Sequence, residues 1–191
     1  MLSRREFLAA GAAGLAYATL SPLEALAAPD PTFMLTREQF NEFLTRPVRE
    51  SLRETRVEMV EWDVYNTTVA QSHLPARERK PVVSLIHSEH AGSRGLAALV
   101  YTFDRRYSNL KVLAVSYSDS STPSQSEIDA AFRRCPLRSL PGLIFYTSSA
   151  GSVARHDQMD GGVQEFEGRG SYRRNVEILC PFIEGQLLTS R

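Results

Sequence analysis

Residues 82–94 read VVSLIHSEHAGSR. Val82 to Ile86 is a short, β-branched apolar run, the pattern of a central strand buried on both faces. From Gly92 to Tyr107, Leu96, Leu99, Val100, Phe103 and Tyr107 fall at helical spacing. The octet His87–Arg94 is therefore a tight polar loop leading from a strand into a helix N-terminus. Many folds place their chemistry at such a junction.

Downstream, Lys111–Tyr117 reads as a second buried strand. Ser124–Arg134 reads as a helix with Ile128, Ala131 and Phe132 inward. Leu140–Tyr146, LPGLIFY, is a third major strand opened by a proline, a position strands tolerate. Ser148–Gly151 is a turn, Val153–Met159 its hairpin partner, and Asp160-Gly161-Gly162 breaks the hairpin. Ser171 caps a last helix carrying Tyr172, Val176, Leu179, Phe182 and Ile183, in which Pro181 predicts a kink or an early end. Upstream, Val57–Val64 is a candidate strand and Asn66–Ala76 holds a short helix. Thr36-Arg37-Glu38-Gln39 is a capping-box pattern, and Phe40, Phe43 and Leu44 share one face of the helix it opens. Pro47 ends that helix, and a polar stretch runs on to Arg56. One helix followed by β-α-β-α-β-α-β-β-α predicts an α/β fold. Its mixed sheet carries helices on both faces, with an extra N-terminal helix.

The first 27 residues stand apart. Ser3-Arg4-Arg5-Glu6-Phe7-Leu8 resembles the twin-arginine export signature. A weakly apolar Ala- and Gly-rich segment follows, and Ala25-Leu26-Ala27 is a small-x-small cleavage site. The apolar part falls short of the ~20 residues of a membrane span. The expected organisation is a signal peptide over 1–27, a helical extension over 28–56 and a domain over 57–191, in a protein exported to the periplasm. The 191 residues carry 22 basic and 22 acidic side chains. This balance argues against a nucleic-acid partner, which demands a basic face. No later segment has transmembrane length. The two cysteines, Cys135 and Cys180, form neither a CxxC motif nor a metal spacing.

The order of elements resembles the thioredoxin fold over roughly residues 57–188. Three patterns carry the resemblance: strand 82–86 running through HSEHAGSR into helix 92–107, the segment LRSLPGLIFYTSSAGSV, and the amphipathic 171–188 stretch. The second is similar to the family's cis-proline and hairpin, which puts that proline at Pro141. The resemblance lays the family's Trp-Cys-Gly-Pro-Cys on His90-Ala91-Gly92-Ser93-Arg94. Ala91 then stands at the nucleophilic cysteine and Arg94 at the resolving one. The family's buried acid falls on Leu85 and its buried lysine on Val115. Disulfide exchange requires a thiolate, and no cysteine lies between Ala28 and Arg134. The resemblance thus implies a redox-inactive, thioredoxin-like binding or assembly module. It would require no cofactor and would act on a periplasmic protein partner or client in a chaperone-like way. Leu140 and Pro141 would supply the groove, and His87, His90, Gly92 and Arg94 its specificity.

Other readings of the same residues stay open. His87, Glu89 and His90 suit zinc or copper by ligand type, with His156 or Met159 as further ligands; the bland alternative is a solvated loop. Ser93 is a helix cap or, with a histidine as base, a nucleophile. The N–H groups of Gly92–Gly95, helped by Arg94, form a candidate anion site. Cys135 is a lone exchange thiol, half of a disulfide with Cys180, or a small buried residue. Arg155-His156-Asp157 with Asp160 reads as solvated surface. Asn66-Thr67-Thr68 matches a glycosylation sequon that carries no weight in a bacterial export context.

Overall fold

The computed structural model describes residues 33–116, 140–148, 153–154 and 161–189. The expected helix at 124–134, Cys135, His156, Met159 and the export signal lie outside the described residues. The strands are β1 (Glu58–Met59), β2 (Val82–His87), β3 (Lys111–Ser116), β4 (Gly142–Tyr146) and β5 (Val153–Ala154). They form one mixed sheet in the order β1-β3-β2-β4-β5. β2 runs parallel to β3 and antiparallel to β4, with Leu85 opposite Ala114 on one side and Leu143 on the other. All six β2 residues are buried. A strand enclosed on both faces has no need of alternation, hence the continuous apolar run.

The helices are α1 (Arg37–Thr45), α2 (Val48–Ser51), α3 (Trp62–Ala70), α4 (Ala91–Arg106) and α5 (Tyr172–Phe182). They cover both faces of the sheet. Val83, Leu85, Val112, Ala114, Leu143 and Phe145 pack under α4 and α5. Val82, Ile86, Leu113, Val115, Ile144 and Tyr146 face the other way, against Tyr65 and Val69 of α3. The α/β class, the mixed sheet with flanking helices and the extra N-terminal helix are as the sequence predicts.

Two boundaries differ from expectation. The strand expected over 57–64 is two residues long, and the helix expected within Asn66–Ala76 is α3, which starts at Trp62. Tyr65 and Val69, four apart, fall on one helical face and are buried, whereas Val64 is left exposed. That pairing wins over the loose alternation of 57–64. Pro181 does not end the last helix. The α-helix runs through Phe182 and continues as a π-helical turn, Ile183–Leu188. Proline has no N–H for the carbonyl four residues back, so the helix passes Pro181 without that hydrogen bond. Ile183 and Leu187, both buried, hold the widened segment in the core.

The N-terminal extension belongs to the same core. Leu35, Phe40, Phe43, Val48, Leu52 and Val57 join the cluster under α4 and α5. Phe40 lies against Tyr172, with ring centroids 5.2 Å apart, and Phe43 meets Tyr101 edge-on at 5.3 Å. A buried relay secures its start. The Leu35 N–H donates to the Tyr172 hydroxyl at 2.8 Å, that hydroxyl lies 2.8 Å from Thr102 Oγ1, and Thr102 donates to the Ala98 carbonyl. No helix among the described residues is long and apolar enough to cross a membrane.

Candidate functional site: the β2–α4 junction

β2 ends at His87, and α4 begins at Ala91 after three intervening residues. His90 is the N-cap: its Nδ1 accepts the Ser93 N–H at 3.4 Å. Ser93 is therefore not the cap expected from the sequence. Its hydroxyl oxygen instead accepts the Ser88 N–H at 3.1 Å, bracing the loop from inside, and the residue is fully buried. A buried hydroxyl already accepting an amide is out of reach as a nucleophile.

Two other segments meet the junction. The Leu140–Pro141 peptide is cis. The Pro141 carbonyl accepts the Gly161 N–H at 3.0 Å, and the Gly92 carbonyl accepts the Val163 N–H at 3.2 Å. Residues 161–163 thus bridge Pro141 and the first turn of α4. The bridge requires glycine. A methyl group on Gly92 would lie 2.8 Å from the Gly162 Cα, and one on Gly95 would overlap the Val163 carbonyl. At this end of the sheet His90, Ala91 and Gly162 reach solvent, with Leu140 and Gly161 half-buried beside them. Among the described residues no backbone–backbone hydrogen bond outside the helices and strands uses Leu140.

The charged residues of the junction face elsewhere. Arg94 Nη1 donates to the Leu44 carbonyl at 3.1 Å, in the last turn of α1, where carbonyls lack helical partners. Glu89 Oε2 accepts the N–H of Val48, the first residue of α2, at 2.9 Å. His87 is 1% exposed, with Nδ1 3.4 Å from the Ser88 carbonyl oxygen. Of the four residues expected to set the specificity of the groove, only His90 is at the surface. His87 and Gly92 are buried, and Arg94 is half-buried against α1.

A concavity of about 240 Å³ lies beside the loop. Pro47, Arg49, Met59, Glu61, His87 and Glu89 are among the residues that line it. Among the described residues no three His, Cys, Asp or Glu side chains lie close enough to hold a metal. Cys180 is a free, buried thiol on α5. Burial raises its pKa, which the nearby Tyr107 hydroxyl and Arg106 only partly offset. A thiol of this kind is unreactive at neutral pH.

Leu85 and Val115 do not share a face. Leu85 lies beneath α4, next to Ala114, whereas Val115 points to the α3 side. One residue of register moves a strand side chain through the sheet, so the apolar neighbour of Leu85 is Ala114.

Sequence reading missed the 161–163 bridge and the tie between loop and extension. Gly161-Gly162 reads only as a break, and nothing local marks Gly92 and Gly162 as partners. A scan of family models and a search of curated proteins both find no match for the chain.

Proposed function

We propose that this chain is a thioredoxin-like module without thiol chemistry, which binds an extended segment of a partner protein at the β2–α4 junction. The observation that carries the reading is the convergence of the His90–Gly92 turn, Pro141 and the 161–163 bridge around an exposed Ala91. The strand order, with antiparallel β4 and β5 closing a parallel β1-β3-β2 set, supports the same family. So does the cis peptide at the proline where the resemblance expects one. The surface presented there consists of Ala91 and Gly162, both exposed and small enough for another backbone to lie alongside. Leu140 offers a main-chain edge for pairing. Ala91 has no nucleophile, and the one cysteine among the described residues is buried on α5. The N-terminal signature supports a periplasmic site of action, reached by twin-arginine export.

A photoreactive amino acid at Ala91 in the full chain tests the binding reading in the native host. The control carries the same group at Arg77, a strongly exposed side chain just before β2, at the opposite end of that strand. A discrete protein adduct from position 91 and none from position 77 is the expected result. Equal adducts from both, or none from position 91, would remove the proposal. The unmodified protein is expected to leave insulin disulfides unreduced in the presence of dithiothreitol beyond the uncatalysed rate. The double variant Ala91→Cys/Arg94→Cys is expected to gain that activity. If the double variant stays folded and inert, the thioredoxin-like geometry of the junction is wrong.

A further inference from the structure

The extension makes a hairpin against α4. It starts at Leu35, tied to Tyr172 near Thr102, and reaches the junction at residues 44–48, where Arg94 and Glu89 hold it. It then returns to Arg56, which is fixed at buried Asp104. The Arg56 N–H donates to Asp104 Oδ2 at 3.1 Å, and its Nε lies 3.2 Å from Oδ1. The two ends therefore sit on the body of α4, far along the helix from the junction. The turn Leu44-Thr45-Arg46-Pro47-Val48 is the part that touches the loop.

The chemistry of this turn is reciprocal. α1 ends there and leaves carbonyls without helical partners, and α2 begins there and leaves amides without them. The junction supplies one cation to the first, from α4, and one anion to the second, from the loop, each the favourable sign for that helix end. Arg94 is the fourth residue of α4, and Glu89 directly precedes its cap. Both ties therefore pull on the first turn of α4, whose Gly92 carbonyl holds the 161–163 bridge.

We propose that residues 44–48 form a strap coupled to the junction through Glu89 and Arg94, so that loosening either one loosens the other. The coupling rests on these contacts and not on what the junction binds. By linkage, anything that lifts the strap would weaken binding at the junction, and anything that orders the junction would tighten the strap by the same factor.

Amide hydrogen exchange on the full chain tests it from both sides. Arg94→Met keeps the aliphatic stem and removes the donor, Glu89→Gln keeps the size and removes the charge, and Pro47→Gly alters the strap while leaving both tying side chains in place. Each is expected to speed exchange about tenfold in both 44–48 and 88–93, with the β2 and β3 amides at Leu85 and Leu113 unchanged. A change confined to the segment that carries the substitution overturns the proposal. If Arg94→Met loosens the sheet as well, Glu89→Gln decides by itself: faster exchange at Val48 and at 91–93 supports the coupling. Unchanged exchange at 91–93 ends it.

Discussion

At the scale of single residues, the structure separates what is chemically available from what is only present. Cys180 is 1% exposed, and burial holds its thiol above the ordinary range. Its alkylation at pH 7.5 is expected to need denaturant, as read by the mass of the labelled peptide; rapid labelling of the folded protein would contradict the packing of α5. Gly95 makes a sharper case. Gly→Ala inside a helix ordinarily gains up to ~1 kcal/mol. Here the added methyl meets the Val163 carbonyl, so Gly95→Ala is expected to cost about 1–3 kcal/mol in urea unfolding. A gain in stability would mean that residues 161–163 do not lie against α4. The sequence marks Ser93, at a helix start, as a cap. The structure gives that place to His90, because cap geometry depends on where the chain leaves the extended region, and only the fold fixes that point.

At the scale of elements, signals held within a few residues were legible. The Thr36/Gln39 capping box forms as read: Thr36 Oγ1 accepts the Gln39 N–H at 3.3 Å, and Gln39 Oε1 accepts the Thr36 N–H at 2.9 Å. Thr36→Ala should cost about 0.5–2 kcal/mol, and Thr36→Gly clearly less. Equal losses in urea melts would mean that the cap hydrogen bond contributes little. β2, β3, β4, α4 and α5 also stand where the apolar patterns put them. The miss at 57–64 has a local cause. Apolar residues at 57, 59, 60, 62, 64, 65 and 69 fit neither period well, and burial of Tyr65 and Val69 against the sheet decides for a helix. Pro181 misleads because the usual rule for proline assumes that the helix has nothing beyond it to bury. Ile183 and Leu187 supply that burial, and Glu184 accepts from Arg106 and Tyr107, both at 2.8 Å.

At the scale of the whole molecule, three buried acids set a pH dependence. Burial, the largest cause in each case, raises the pKa of Cys180, Tyr107 and Tyr172. The folded state keeps these groups protonated while the unfolded chain ionises them. Their share of stability is therefore whole below the ordinary thiol value of 9.0. It is lost as pH rises through that value and, for the two tyrosines, through 10.0 toward the higher values of the folded state. Each group removes up to about 1.4 kcal/mol per pH unit in its window. Urea midpoints measured from pH 7 to 11 are expected to hold near pH 8 and fall steeply above pH 10. A flat profile would mean that the Tyr107 and Tyr172 hydroxyls are not enclosed. These groups join α4, α5 and the extension, so alkaline loss should be cooperative across all three.

By itself the sequence determined the class of the fold, the order of its main elements, the absence of a thiol at the start of α4 and the helix cap at Thr36. Each is written in the spacing of residues a few positions apart, where periodicity and local hydrogen bonding act. Only the tertiary structure decided that residues 161–163 seal the junction, that Arg94 and Glu89 turn toward α1 and α2, and that the extension shares the core under α4. These contacts join residues about 20 to 140 positions apart. Their partners are chosen by which surfaces the packed sheet and helices bring together, and no local pattern encodes that choice.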